Sequence, residues 1–236
     1  MPNNFFSFKQ FTVYQERSAF KVGTDGVLLG AYADVSGRKR ILDLGTGTGL
    51  IALMVAQRCD ADIVAIEPDQ DSFFQASENV LNSKWSGRIR IENCMLQNYR
   101  PVDTKFDLIV TNPPFYSDSL KNPDLSRANA RHNDNLSHID ILSGAGRLLD
   151  PDGKLQLIMP FAEGSVFIAE AGKYGFFCNN ILKIKSTPSA EIRRLILSFS
   201  RDKMKVIERF LTIESGKRHE FTQDYKNLTK DFYLKF

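Results

Sequence analysis

Residues 40–50 read Arg-Ile-Leu-Asp-Leu-Gly-Thr-Gly-Thr-Gly-Leu. The first five form a short apolar run of strand type. Gly45, Gly47 and Gly49 follow at alternate positions. Without a Cβ they let the chain turn tightly and let a ligand approach the backbone. Leu50 to Gln57 then reads as a helix. Strand, glycine loop and helix in that order open an α/β unit, and the chain on either side is read from there.

Downstream, Asp62 to Glu67 is a second strand, followed by a helix from Asp69 to Asn82 with Phe73, Phe74, Ala76, Val80 and Leu81 as its apolar positions. Arg88 to Asn93 and Phe106 to Thr111 are the third and fourth strands. Ile139 to Leu149 is helical, Gly153 to Met159 a fifth strand and Glu163 to Tyr174 a helix. Phe177 to Lys185, Arg193 to Ser200 and Glu208 to Ile213 are strands without helices between them, and a last helix begins near Thr222. Upstream, Thr24 to Ala33 reads as a short N-capped helix. Strands alternating with helices imply an α/β fold: a doubly wound, mostly parallel seven-stranded sheet with helices on both faces. The β-rich last third adds an antiparallel strand near one edge.

In open α/β sheets ligands bind beyond the carboxyl ends of the strands, so three strand-ends carry the chemistry. The first is the glycine loop. It is not the dinucleotide fingerprint G-x-G-x-x-G, because the third glycine falls one residue early and position 50 is Leu. A phosphate loop with Lys and Ser/Thr is also missing. Asp43, at the end of the strand, repels a pyrophosphate and attracts an ammonium or sulfonium. That pattern points to S-adenosylmethionine, which carries both cations and no phosphate. The second strand-end is Glu67-Pro68-Asp69. Glu67 is placed to accept hydrogen bonds from two ribose hydroxyls, and Asp69 equally suits the cap of the next helix.

The third strand-end is Thr111-Asn-Pro-Pro-Phe-Tyr116. Two prolines cannot continue a strand, since neither donates to a ladder and each fixes its own φ. As a plain strand exit the corner needs no amide. As a site it offers two acceptors, the Asn112 side-chain oxygen and the Pro113 carbonyl, fixed in advance by Pro113 and Pro114. Such a corner beside a D-L-G-T-G-T-G loop resembles that of class I S-adenosylmethionine-dependent methyltransferases, and the resemblance implies a planar amino nitrogen as target: aimed at its two N–H groups, the acceptors would pull that delocalised, weakly nucleophilic atom toward a pyramidal shape. Phe115 is placed to stack on the target's π face, with Tyr116 beside it. In-line transfer to such a nitrogen needs no acid, base or metal. The corner alone leaves adenine N6, guanine N2 and glutamine N5 open as acceptors.

Bulk composition narrows the classes. Of the 236 residues 42% are hydrophobic, enough for one globular domain. The start, MPNNFFSFKQF, lacks the basic and apolar regions of a signal peptide, and no apolar run approaches the roughly 20 residues of a membrane span. Cys59, Cys94 and Cys178 are far apart, and His132, His138 and His219 lack ligand spacing. The reading is of a cytoplasmic protein with no metal, no membrane contact and no obligate protein partner. Net charge is +3 but uneven. Residues 1–118 carry 12 Lys/Arg against 14 Asp/Glu, and residues 119–236 carry 19 against 14, so the basic excess follows the proline corner.

The pairing of D-L-G-T-G-T-G with N-P-P-F resembles the class I S-adenosylmethionine-dependent methyltransferases that modify planar amino nitrogens, over about residues 20–200. Further strings resemble one bacterial family within it, the tRNA1(Val) adenine-N6 methyltransferases: F-T-V-Y-Q (11–15), K-V-G-T-D-G-V-L-L-G-A (21–31), Ala130-Arg131-His132 and Asp231-Phe-Tyr-Leu-Lys-Phe236. The resemblance implies a Rossmann-like methyltransferase domain over 1–236. About 1–38 is then a segment covering cofactor and substrate, and about 202–236 an appended strand and helix. It implies methylation of adenine 37 of a valine tRNA, with glutamine-N5 protein methylation, rRNA guanine-N2 methylation and a non-catalytic RNA-binding module as alternatives. By the same resemblance Thr24 contacts the methionine end of the cofactor, and the backbone at Met95 and Leu96 lies beside its adenine. The family's usual polar residue there is replaced by Met95. Arg127, Arg131 and His132, in a polar loop of about 20 residues, and Arg194 are the expected RNA contacts. Lys203, Lys205, Lys217 and Arg218 are further basic candidates for phosphate.

Overall fold

The structure is a computed structural model and describes residues 3–18, 20–102, 104–114 and 136–235. In chain order its elements are β1 (Phe5–Ser7), β2 (Thr12–Tyr14), α1 (Thr24–Tyr32), β3 (Arg40–Leu44), α2 (Leu50–Arg58), β4 (Asp62–Ile66), α3 (Gln70–Leu81), β5 (Ile89–Glu92) and β6 (Phe106–Thr111). Then come α4 (His138–Leu148), β7 (Leu149–Pro160), α5 (Phe161–Ala171), a single 3-10 turn, β8 (Phe177–Lys185), β9 (Ile192–Ser200), β10 (Ile207–Thr212) and α6 (Gln223–Thr229).

Ile41 to Leu44 are all buried, as a strand covered on both faces must be, and β3 lies inside an eight-stranded sheet of order β10-β8-β9-β7-β6-β3-β4-β5. All neighbours pair in parallel except β9, which runs against β7 and β8. The expected seven strands are therefore joined by an eighth. The appended strand β10 pairs in parallel with β8, Ile207 opposite Asn180 through Thr212 opposite Lys185, and forms the sheet edge. Strand order reverses between β3 and β6, the topological switch point where such sheets open a crevice.

Two apolar layers cover the sheet. One packs α1 and α2 on Ile41, Ile63, Leu108 and Ile158, and the other packs α4 and α5 on Leu42, Ile109, Leu155 and Leu197. The N-terminal segment adds an antiparallel hairpin, β1 to β2, whose strands are too short to announce themselves by periodicity. Phe8 and Phe11 stack with ring centroids 4.7 Å apart, and Phe8 meets Tyr233 at 6.0 Å. Lys9 N donates to Phe232 O at 2.8 Å, so the two ends of the chain close on one another. Among the described residues no helix is long and apolar enough to cross a membrane.

Helix α1 sits close on α2 because Gly30 faces Met54. A Cβ built at Gly30 would lie 2.8 Å from Met54 Cβ, closer than two carbons can pack. Gly30→Ala is expected to lower the unfolding free energy by about 1–3 kcal/mol, measured by urea denaturation.

Candidate active site

Four strand-ends line up beside the switch point. Leu44 pairs with Ile66 and with Thr111, and Ile66 with Glu92. Loop backbone then stitches the row together. Gly45 N and Thr46 N both donate to Ile66 O (2.9 and 3.1 Å), Glu67 N donates to Glu92 O at 3.0 Å, and Thr111 Oγ1 donates to Leu44 O at 2.9 Å. Asn93 Nδ2 donates to Glu67 O at 2.8 Å.

Above this row lies a cavity of about 610 Å³. It brings together most of the residues singled out from sequence: Thr24, Gly45, Gly47, Glu67, Pro68, Met95, Leu96, Asn112, Pro113 and Pro114 all line it. Gly45 and Gly47 have φ of 68° and 58°, the left-handed region that glycine occupies at no steric cost. No atom stands within 4 Å of a Cβ built at either. Gly49, φ 82°, is the N-cap of α2 and packs on Ala76 instead of lining the cavity. Glu67 is buried, and its carboxylate accepts from Gly47 N at 2.8 Å and from Asp69 N at 3.1 Å. The same group thus shapes the glycine loop and the start of α3, where Asp69 Oδ1 caps Ser72 N at 2.8 Å.

Asp43 differs from expectation. It is not among the cavity-lining residues and is fully buried. Its Oδ2 accepts from Thr46 Oγ1 at 2.6 Å and from Ala52 N at 3.2 Å, tying the glycine loop to the first turn of α2. Its Oδ1 has no hydrogen-bond partner among the described residues. Burial pushes the carboxyl up to about 7, the two donors pull it partly back, and the charge of Glu67 adds to the rise. Asp43 therefore supports the loop, its side chain turned to Thr46 and to the first turn of α2.

The helix α1 reading also shifts by one residue. Gly23 is the N-cap and Thr24 the first helical residue, with no side-chain capping bond. Gly23 to Gly26 all line the cavity, so the helix start, with its unpaired first-turn N–H groups, forms one wall. Arg194, expected at RNA, donates from Nε to Asp25 Oδ2 at 2.8 Å, joining that wall to β9. At the opposite wall the carbonyls of Met95 and Leu96 are engaged, by Asn98 N and Tyr99 N at 3.0 Å and by Arg147 Nη2 at 2.9 Å. Gln97 lines the cavity beside them, as do Phe20 and Leu136. Gln97 was missed because one polar residue in a loop carries no periodic signal. Phe115, Tyr116, Arg127, Arg131 and His132 lie outside the described residues. Among the described residues no cluster of three His, Cys, Asp or Glu could hold a metal.

At the proline corner Asn112 Oδ1 is buried and has no hydrogen-bond partner among the described residues. An acceptor withheld from water and from protein donors costs about 1–3 kcal/mol and is explained when a ligand N–H completes it. The cavity also fits S-adenosylmethionine by its chemistry. Side-chain-free glycines open the loop at Gly45 and Gly47, and the carboxylate of Glu67 faces the space where a phosphate would be repelled.

A family model described as "Methyltransferase small domain" matches residues 18–165. A protein of Trichodesmium erythraeum named tRNA1(Val) (adenine(37)-N6)-methyltransferase is 46% identical over 240 residues, covering 100% of both chains. One of Phocaeicola vulgatus with the same name is 47% identical over 234 residues, 99% of each chain. A solved structure from Agrobacterium tumefaciens, titled as a predicted O-methyltransferase, superposes with a TM-score of 0.70 over 88% of this chain and 96% of its own, at 21% identity. At that identity the likeness bears on the fold alone.

Asp43 yields a signed pH prediction. Its folded value of about 7 lies above the ordinary 3.8, so between those values the folded state holds more of this proton than the unfolded chain does. Its contribution to stability is present below about pH 4 and lost as pH rises toward 7. Asp43→Asn keeps an acceptor for Thr46 and Ala52 and removes the titration. Urea denaturation at pH 5 and pH 8 should show wild type losing more stability across that interval than the variant does.

Proposed function

Because the chain belongs to the methyltransferase small-domain family and to the tRNA1(Val) (adenine(37)-N6)-methyltransferases, we propose that it methylates the N6 amino nitrogen of adenine 37 in a valine tRNA, using S-adenosylmethionine. The observation that carries the mechanism is the buried Asn112 Oδ1, without a partner among the described residues, at the strand-end beside the cavity.

When bound, S-adenosylmethionine supplies an electrophilic methyl group on a sulfonium sulfur. The residues that would hold it are the backbone of Gly45 and Gly47, the carboxylate of Glu67 at the ribose, and the wall from Gly23 to Gly26 around Thr24. Met95, Leu96 and Pro68 would border its adenine. The protein's own part in the reaction lies at the corner. Asn112 Oδ1 and the Pro113 carbonyl accept the two N–H groups of the target amine and draw its lone pair out of conjugation. Pro113 and Pro114 hold both acceptors before the substrate arrives, so no reorganisation is spent during reaction. A base in an anticodon loop must leave its stack to reach this corner. Stacking on an aromatic such as Phe115 returns about 1–3 kcal/mol per base. Arg127, Arg131 and His132 are the proposed RNA contacts from the polar loop, with Tyr116 at the corner. Arg194 acts through Asp25.

The test is to incubate the protein with labelled S-adenosylmethionine, total tRNA and a release-factor protein, and then to locate the label. Label recovered as N6-methyladenosine at position 37 of valine tRNA is the expected result. Label on a protein glutamine, or on guanine, would overturn the acceptor assignment. For the corner, Asn112→Ala should bind S-adenosylmethionine as wild type does in calorimetry while kcat falls about 10²–10³-fold, the scale of one preorganised hydrogen-bonding group. Unchanged turnover would remove Asn112 from the mechanism.

A further inference from the structure

Helix α3 turns a polar face inward. Ser72, Gln75 and Asn79 are 1%, 2% and 1% exposed, while Phe74 and Leu81 of the same helix are 45% and 75% exposed. The three polar residues are spaced i, i+3, i+7 and share one side of the helix. Burying such a side is unfavourable unless every group finds a partner, so the partners reveal its purpose.

Those partners belong to the N-terminal segment and the glycine loop. Asn79 Oδ1 accepts from Tyr14 N at 2.9 Å, and Nδ2 donates to Tyr14 O at 2.8 Å. The side-chain amide thereby pairs with Tyr14 as a neighbouring strand would. The same Nδ2 donates to Thr48 O in the glycine loop at 2.9 Å. Gln75 Oε1 accepts from Arg17 N at 3.1 Å. Ser72 Oγ donates to Ser18 Oγ at 3.1 Å, and Ser18 Oγ in turn donates to Phe20 O at 3.1 Å. Phe20 and Thr48 both line the cavity. Further along, Gln15 Oε1 accepts from Val22 N at 2.8 Å, carrying the hold to the edge of the α1 wall.

We propose that Asn79 is a positioning residue for cofactor binding, joining the strap formed by residues 14–18 and 20–23 to the glycine loop through one amide so that two walls of the cavity are set together. Gln75 and Ser72 seat the strap behind it. The inference rests on reading the cavity as the S-adenosylmethionine site. A ligand that touches both walls then tightens the strap, and an undocked strap weakens the ligand by the same factor.

Asn79→Asp is nearly isosteric and keeps an acceptor for Tyr14 N, but it sets a carboxylate oxygen against the carbonyls of Tyr14 and Thr48. Calorimetry with S-adenosylmethionine should show Kd raised tenfold or more. At saturating cofactor kcat and the KM for tRNA should stay within twofold of wild type. Hydrogen exchange should show that S-adenosylmethionine slows the Tyr14 and Arg17 amides in wild type and fails to do so in the variant. Gln75→Ala, which removes a single strap contact, decides the matter if Asn79→Asp does not fold, as judged by its melting curve without cofactor. It should raise Kd about threefold. Unchanged Kd in the folded variants, or a fall in kcat with Kd unchanged, overturns the proposal. Absence of binding by wild type would instead overturn the reading of the cavity.

Discussion

The site depends on holding open a loop that has no side chains of its own to hold it. Gly45 and Gly47 lie in left-handed backbone with nothing packed on them, so their shape must come from outside the loop. Two carboxylates supply it from opposite directions. Asp43 anchors Thr46 and Ala52 from within the sheet layer, and Glu67 grips Gly47 N from the neighbouring strand-end. A carboxylate can accept several N–H and O–H groups at once, which lets one residue per side do the work. The chain accepts an uncomfortable arrangement in return, since the charge of Glu67 at the adjacent strand-end adds to the cost of ionising buried Asp43.

The same economy recurs around the cavity. Glu67 also receives Asp69 N, and Asp69 caps α3, so loop, strand-end and helix start form one connected unit. Asn79 then links the far side of α3 to Thr48 and Tyr14. The exception is the proline corner, where Asn112 Oδ1 stays unpaired among the described residues. Asp43 Oδ1 is also without a partner among the described residues, but Asn112 belongs to the cavity lining and Asp43 does not.

Much of this was readable from the chain because it rests on period and punctuation. The limits of β3, β6 and β8 agree residue for residue with the expectation, since apolar runs ended by glycine or proline have unambiguous edges. Direction of a side chain is harder. Asp43 reads identically whether it faces a ligand or the loop behind it, and only the strand's orientation decides. Of the apolar positions of α3, Ala76 and Val80 are buried while Phe74 and Leu81 are exposed, and the helix also buries Ser72, Gln75 and Asn79, whose partners in the N-terminal segment no local pattern announces. The hairpin β1–β2 left no trace, as three-residue strands cannot show an alternation. The strand β10 was legible as Glu208 to Ile213, but its parallel pairing with β8, which makes the sheet eight-stranded, is a contact that no local pattern encodes.

The contact of the N-terminal hairpin with Phe232 and Tyr233 joins segments far apart in sequence. The hairpin that leads into the strap packs on Tyr233, and Lys9 is bonded to Phe232. The same hairpin also leans on the middle of the chain, Phe11 on Trp85 and Tyr14 on Asn79, so it draws together three distant stretches of sequence. Contacts of such long sequence separation form late, after their loop entropy has been met. The sheet and glycine loop can be in place while the cavity still lacks its cover. Docking of the hairpin and strap is then the step that finishes the cavity, after the sheet beneath it has formed.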